Sequence, residues 1–195
     1  LEQVDDAPDR FDELVGPAPA RVGRGQNLAV RTHHAMLDLI LARDWEALRG
    51  HLADAFEIVD RRKGLASSLT DVDVYLENLR QILALGVTAV DTEDLATRGD
   101  LLHMDRVTFY GDTVDGDRGE VVVLRVSEVR PDGKLRYACT FDPEDVDAAL
   151  AHLDERYMAS LPPAQAEVWA VGGQFVDAYN RRDWERLRAV LAPGF

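Results

Sequence analysis

His103 and Asp105 are two residues whose types and spacing could carry out proton-transfer chemistry. They lie two positions apart in an alternating stretch, residues 101–110, that predicts a β-strand, so their side chains project from one face. Val107 and Phe109 continue that face, which is therefore the predicted buried one. A histidine beside a carboxylate in an apolar pocket can take up and return a proton, so the sequence predicts an acid/base pair that lines a pocket.

Two other interpretations of this pair are open at the level of sequence. The side chains could form a satisfied hydrogen bond in the interior, or a contact in a dimer interface, because an unpaired buried carboxylate is costly. The strand could also take the opposite register. That register would turn a different set of side chains inward: Met104, Arg106, Thr108 and Tyr110.

A second candidate acid/base group is Asp60, which ends a short alternating stretch at residues 56–60 and is followed by two arginines. At the mouth of a pocket Asp60 could exchange a proton, and Arg61 or Arg62 could bind an anionic group of a ligand. The same tripeptide could instead be the exposed end of a strand with local ion pairs.

Tyr137 and Trp45 are the remaining pocket candidates. Tyr137 shares one face of the predicted strand Leu135–Phe141 with Cys139, and its hydroxyl could donate a hydrogen bond in the pocket, although a core aromatic would show the same pattern. Trp45 begins a short predicted helix. Its ring could line the pocket, or it could simply pack the helical layer against the sheet. Cys139 has no basic neighbour in sequence to activate it, which favours a buried filler.

The sequence carries no signature of a metal site or of a bound cofactor. Its histidines lack the close spacings at which two imidazoles of one helix or strand share a metal ion. The five histidines are His33, His34, His51, His103 and His152. There is also no P-loop, no dinucleotide-binding glycine motif after a strand and no nucleophile elbow. We therefore predict neither a metal nor a cofactor.

Composition narrows the possible partners and the compartment. The 195 residues carry a formal net charge of −14, which argues against nucleic acid or an anionic membrane surface as the main partner, because both attract basic patches. A single cysteine permits no internal disulfide, and no apolar run approaches 18 residues. These features predict a cytoplasmic protein, and the preference for arginine over lysine indicates a bacterial one.

The candidate residues are positioned by a helical layer followed by strands. Apolar periodicity and caps predict helices at Leu28–Ala42, after Asp44, and from a Thr70 cap to Gly86. The spacing then changes to two, which predicts a curved antiparallel sheet with strands at 87–97, 101–110, 120–130 and 135–141. Helical spacing returns after the Asp142 start signal, and again at 164–180 and 184–191.

One segment of the chain occurs twice. Residues 43–56 and 182–195 are identical at 9 of 14 positions, and both begin Arg-Asp-Trp-Glu. The offset has the size of a small domain, which predicts one complete domain and the start of a second copy within a longer multidomain protein. The predicted division is a linker at 1–27, a domain at 28–142, a connecting helix at 143–162 and a truncated second copy at 163–195.

The order of elements resembles the nuclear transport factor 2-like (NTF2-like) superfamily, in particular its SnoaL-like branch. The resemblance rests on Arg-Asp-Trp-Glu-Ala-Leu at residues 43–48, on Phe-Glu-Ile-Val-Asp at 56–60 and on the terminal hairpin strands. It implies an α+β cone in which N-terminal helices and a bent sheet enclose a pocket. It also implies a homodimer, because the outer sheet face of this superfamily often pairs.

The resemblance leaves the function open, because the superfamily includes isomerases, cyclases, ligand sensors and assembly modules. Our leading hypothesis is a non-catalytic, regulatory module that binds a small apolar or anionic molecule. The alternatives are a cofactor-free isomerase or cyclase that uses Asp60 or the His103–Asp105 pair, and a dimerisation module. A buried carboxylate with a raised pKa would favour the enzyme. An open apolar cavity would favour ligand binding, and a collapsed pocket would favour dimerisation.

Overall fold

The computed structural model describes residues 27–112 and 118–191, so the predicted linker lies outside the described residues except for Asn27. Three helices and two strands come first: α1 (Leu28–Ala42), α2 (Trp45–Gly50), β1 (Leu52–Asp60), β2 (Ser67–Leu69) and α3 (Val72–Ala84). Four strands follow: β3 (Val87–Arg98), β4 (Leu102–Asp112), β5 (Arg118–Val129) and β6 (Leu135–Phe141). Three further helices come after the sheet: α4 (Val146–Ser160), α5 (Pro163–Asn180) and α6 (Trp184–Val190). The predicted α+β class is confirmed.

Side-chain caps determine where the inner helices begin. Asn27 accepts a hydrogen bond from a first-turn amide of α1 at 3.0 Å, and its own amide donates to the Gly99 carbonyl at 2.8 Å, which anchors α1 on the β3–β4 turn. Asp44 caps α2, as the sequence predicts. Asp71, rather than the predicted Thr70, caps α3, because its carboxylate accepts from two amides of the first turn.

The six strands form one bent sheet in the order β2–β1–β6–β5–β4–β3. All neighbours are antiparallel except β1 and β6, so the prediction of a wholly antiparallel sheet is wrong at that pair. The pairing is parallel because the β3–β6 meander returns its last strand beside β1, in the same direction. Register shifts in β1 and in β3 bend the sheet into an open cone.

Helices α1 and α3 cover one face of the sheet, called here the inner face. Their apolar stripes pack on β1, β5 and β6 and form the main core. Its fully or nearly buried members include Met36, Leu37, Ile40, Leu48, Phe56, Leu76, Leu83, Val129, Leu135 and Ala138. Helix α3 and the sheet separate towards the end of β4 and the start of β5, which leaves room for a cavity between them.

Helix α4 covers the opposite, outer face of the sheet. Ala149 and Leu153 pack on a second set of alternating strand residues. That set is Leu102, Met104, Leu124, Val126, Tyr137, Cys139 and Phe141. Arg156 of α4 donates from Nε to Glu128 of β5 at 2.7 Å, which ties the helix to the sheet. This helix, predicted as a connection between domains, packs on the sheet in the structure.

Helices α5 and α6 repeat the local geometry of α1 and α2. In each pair an arginine in the left-handed region lies between the two helices, with φ of 59° at Arg43 and 56° at Arg182. The aspartate that directly follows this arginine caps the second helix at 3.0 Å. The apolar face of the second pair is largely exposed: Val168, Val171, Phe175, Val176, Tyr179 and Trp184. A second domain copy and a homodimer stay predictions. No helix in the described ranges is long and apolar enough to cross a bilayer.

Candidate functional site

A cavity of about 810 Å³ opens between α3 and the inner face of the sheet. Its walls are mainly aliphatic and aromatic side chains of α3, β3, β4 and β5. They include Leu79, Ile82, Leu85, Val87, Phe109, Val121 and Val123. Cavities of about 300–1,000 Å³ with predominantly apolar walls and a few polar groups are typical of small-molecule sites. This cavity is therefore the candidate functional site.

Asp60 and Arg62 lie at one edge of the cavity and form an ion pair. Arg62 donates from Nη2 to Asp60 Oδ2 at 2.6 Å, from Nε to Oδ1 at 3.0 Å, and from its backbone N–H to Oδ1 at 3.0 Å. Partial burial tends to raise the pKa of Asp60, but the hydrogen bonds from Arg62 together outweigh it, so that this pKa is lowered. Asp60 is therefore held as a carboxylate.

Breaking this ion pair should produce a pH-dependent loss of stability. Because the pKa of Asp60 is lower in the folded chain than in the unfolded one, its contribution is present above the unfolded value of about 3.9 and is lost as the pH falls below it. We expect Arg62→Gln to lower the free energy of unfolding by about 0.5–1 kcal/mol at neutral pH. Urea unfolding between about pH 6 and about pH 3, which lie on either side of the unfolded pKa of Asp60, measures the difference.

The matched control for this prediction is the same substitution in an Asp60→Asn background. There the effect of Arg62→Gln should be small and should not change with pH, because no carboxylate titrates. A loss in the single variant that stays constant from neutral to acidic pH would contradict the assignment.

Arg125 of β5 lies at the inner end of the cavity. Its side chain lines both the large cavity and an adjoining space of about 20 Å³ beneath α1. Its Nη2 contacts Nε2 of His33, and its Nε lies 4.0 Å from Asp105 Oδ1. That Nε has no hydrogen-bond partner among the residues that the structure describes. A guanidinium that lines an apolar cavity can receive an anionic oxygen through its exposed part.

A buried polar cluster lies behind that guanidinium, where α1 crosses β4. His33 of α1 faces His103 and Asp105 of β4, and all three side chains are more than nine-tenths buried. His33 Nδ1 is 3.3 Å from Asp105 Oδ2. On the other side of the cluster, His103 Nε2 is 2.9 Å from Asp94 Oδ1. His34 Nε2 lies 3.1 Å from the same Asp94 oxygen, so the cluster brings three imidazoles and two carboxylates together.

Burial dominates the protonation of this cluster. It raises the pKa of Asp105 to about 7, against the opposing effect of Arg125. It lowers the pKa of His103 to about 4, although the neighbouring Asp94 acts in the opposite direction. Burial also lowers the pKa of His33, and Arg125 adds to that shift. Both histidines are therefore neutral at pH 7, while Asp105 lies between its acid and its carboxylate form.

The sequence left two registers of β4 open. In the structure His103, Asp105 and Phe109 lie on the inner face, whereas Met104 packs under α4. The structure thus brings the predicted His103–Asp105 pair together with His33. Both side chains of the pair have 0% exposure, and neither belongs to the cavity wall. A role of the pair in proton transfer stays a prediction.

Tyr137 and Trp45 lie away from this cavity, whereas Asp60 lines it. Alternation along β6 turns Ala138 inward and Tyr137 outward, where the Tyr137 hydroxyl is 2.9 Å from His152 Nε2. Trp45 packs at the edge of the helical layer, and its ring lies against the guanidinium of Arg80 in α3. The structure therefore separates these two aromatics from the cavity and from the polar cluster.

Sequence reasoning missed Arg125, His33 and Asp94. Arg125 follows Val121 and Val123 at alternating positions, so a charged residue on an otherwise apolar strand face could have been detected. His33 lies on the stripe that α1 buries, which is a weaker signal of the same kind. Asp94 carries no comparable signal, because it belongs to the polar run Asp-Thr-Glu-Asp at 91–94, in which one carboxylate does not stand out.

No protein-family model matches the chain, and no curated protein matches it by sequence. Solved structures do match. RV0760c from Mycobacterium tuberculosis is 14% identical with a TM-score of 0.50, over 59% of this chain and 90% of that chain. Its complex with estradiol-17beta-hemisuccinate is 14% identical with a TM-score of 0.49, over 59% and 93% of the two chains. An NTF2-like protein of unknown function from Exiguobacterium sp. 255-15 is 14% identical with a TM-score of 0.45, over 56% and 95%. At this identity the likeness shows the fold, and the chain has the NTF2-like cone, as the sequence predicts.

Proposed function

We propose that this chain is a non-catalytic module that binds a small, largely apolar molecule carrying an anionic group. The observation that carries the proposal is the 810 Å³ cavity with aliphatic walls and the guanidinium of Arg125 at its inner end. The apolar part of the ligand would cover the walls, which is worth about 25 cal/mol for each Å² removed from water. The anionic group would accept hydrogen bonds from Arg125.

The two arginines of the cavity differ in their freedom to meet a ligand. Arg62 is engaged by both oxygens of Asp60 through its Nε and Nη2. Arg125 contacts the neutral ring of His33, has no carboxylate oxygen closer than 4.0 Å among the ion pairs of the described residues, and keeps part of its side chain exposed where it lines the cavity. Arg125 is therefore the better receptor for an anion.

The carboxylates near the cavity support binding rather than catalysis. A general base must come within hydrogen-bond reach of the proton that it takes. Asp60 has a lowered pKa and its oxygens are occupied by Arg62, which makes it a weak base. Asp105 has a pKa suited to proton transfer but is fully buried behind Arg125. An isomerase or cyclase would require Arg125 to move aside and expose Asp105.

Two dyes that differ by one anionic group test this proposal. N-phenyl-1-naphthylamine is apolar, and 8-anilinonaphthalene-1-sulfonate adds a sulfonate to the same rings. We expect both to bind the full chain, and Arg125→Gln to weaken binding of the sulfonate about tenfold. The reason is that a charged hydrogen bond is worth about 1.5 kcal/mol. Binding of the neutral dye should change less than about twofold. Fluorescence titration measures both affinities.

Two further variants serve as controls. Arg136→Gln removes an arginine that is half exposed on β6, outside the cavity wall, and should leave both dyes unaffected. Val123→Trp should fill the cavity and weaken both dyes together. The proposal fails if the folded wild-type chain binds neither dye. It also fails in its anionic part if Arg125→Gln and the wild type bind the sulfonate equally.

The repeated segment supports a tandem context for this module. The identical Arg-Asp-Trp-Glu segments and the left-handed backbone at Arg43 and Arg182 are what a second copy at residues 163–195 would show. Within that proposal, the module would regulate neighbouring domains of a larger bacterial protein by the presence or absence of its ligand.

A further inference from the structure

We propose that His33, His103 and Asp105 bind a divalent transition-metal ion of the Zn²⁺ type, inside the fold between α1 and β4. One donor atom from each residue lies within 4.8 Å of the other two. Two imidazole nitrogens and one carboxylate oxygen form a donor set that suits Zn²⁺ and Co²⁺. This site lies outside the proposed ligand cavity, because neither His103 nor Asp105 lines it.

The candidate donor atoms lack hydrogen-bond partners. Nδ1 of His33, Nδ1 of His103 and both oxygens of Asp105 are buried without a hydrogen bond to any residue that the structure describes. A buried polar atom that is left unpaired costs about 1–3 kcal/mol, and a charged one costs more. Apart from the 3.3 Å approach of His33 Nδ1 to Asp105 Oδ2, these four atoms have no polar neighbour among the described residues to satisfy them, and an ion shared by all three residues would do so.

The tautomer of His103 also favours a metal ion at this site. Its Nε2 lies 2.9 Å from Asp94 Oδ1, and a carboxylate oxygen can only accept, so the proton of the neutral ring is on Nε2. Nδ1 of His103 then presents a lone pair towards a region where Asp105 presents further lone pairs, and no hydrogen bond joins the two. A cation placed between these acceptors would offset their mutual repulsion. A carboxylate behind the ring is also the usual support of a metal-binding histidine.

The spacing of one pair of donors is already what a single ion requires. Atoms bound at about 2.1 Å in a tetrahedral arrangement lie about 3.4 Å apart, and His33 Nδ1 and Asp105 Oδ2 are 3.3 Å apart. The other donor atoms lie within 4.8 Å and have to move closer when the ion binds.

Arg125 competes with the metal for His33. Its guanidinium contacts Nε2 of His33, which makes that nitrogen an acceptor and puts the ring proton on Nδ1. Coordination through Nδ1 requires this proton to leave and one to be taken up on Nε2, so Arg125 has to withdraw. Removing the guanidinium should therefore tighten metal binding, whereas it weakens the anionic ligand of the proposed function.

Titration of the tag-free, metal-free full chain with Co²⁺ tests this site, because a ligated Co²⁺ ion has a visible absorption spectrum that reports its coordination. We expect one Co²⁺ per chain, displaced by Zn²⁺, and a higher melting temperature with Zn²⁺. His103→Ala and Asp105→Asn should lose the spectrum. Asp94→Asn removes a positioning residue and should weaken binding 10- to 100-fold. Arg125→Gln should tighten it several-fold.

His51→Ala is the matched control, because His51 is hydrogen-bonded to the backbone of α2 far from the cluster and should not alter the titration. Asp94 is partly exposed, so its asparagine variant tests the site even if the variants of buried residues fail to fold. The proposal is overturned if the folded wild type takes up no Co²⁺, or if His51→Ala and Asp94→Asn bind it alike. Either result leaves the dye experiment with Arg125 unaffected, so the two proposals fail separately.

Discussion

Replacing Leu153 by alanine is expected to lower the free energy of unfolding by about 3 kcal/mol. Leu153 has no exposed surface and packs α4 on the outer face of the sheet, beside Met104 and Leu124. Its truncation removes buried methyl groups and leaves a cavity between a helix and a sheet that can only partly close. Urea or thermal unfolding of the full chain, followed by circular dichroism, measures the change.

The control for Leu153 is Leu65→Ala. Leu65 is 55% exposed, so that its truncation should change stability by no more than about 0.5 kcal/mol. The comparison separates the helical cover from a general effect of losing a leucine. A loss below about 1 kcal/mol at Leu153 would mean that α4 is not held on the sheet in solution, and the outer face would then be free for a homodimer.

Gly111→Ala is expected to cost about 2 kcal/mol, because there is no room for a methyl group at this position. A Cβ at Gly111 would lie 2.6 Å from the Gly86 carbonyl oxygen and 3.2 Å from the Val87 Cα, and both of these are backbone atoms. Gly86 has a φ of 103° at the end of α3, so the turn cannot easily shift to make room. The β3–β4 pairing would have to open at its end, and chemical denaturation measures the loss.

Gly50→Ala provides the matched control for Gly111→Ala. Gly50 is the last residue of α2, and a Cβ there would have no atom within 4 Å. Alanine should be neutral or stabilising by up to about 1 kcal/mol, since it favours the helix. Because Gly111 and Val87 also line the cavity, Gly111→Ala should in addition weaken both naphthalene dyes. Equal stability of the two glycine variants would contradict the close approach.

Several features of the fold follow from local spacing and were predictable. The apolar period of α1 gave the bounds Leu28–Ala42, which the structure reproduces. The alternation of β4 placed His103 and Asp105 on one face, and that face is the inner one. Asp44 was recognisable as a cap because capping depends on a residue and the few amides that follow it. Each of these features depends on neighbours in sequence.

Other features were not predictable from spacing, even where the residues were noticed. Tyr137 was correctly placed with Cys139 on one strand face, but the sequence did not show that α4 covers that face. The parallel pairing of β1 with β6 joins strands about 80 positions apart, and no turn signal links them. Strand β1 is longer than predicted. It begins at Leu52, because Leu52 pairs with Leu135 of β6.

The sequence by itself determined most of the elements and their cone-forming order, because periodicity, caps and turns act over a few residues. The tertiary structure decided between the two registers of β4 and decided which polar groups meet. His33 and His103 lie 70 positions apart and show no metal-site spacing, yet the crossing of α1 over β4 brings their rings within 5.5 Å beside Asp105. Such a meeting depends on how two faces pack, and local sequence patterns carry no information about which distant partner a buried face will contact.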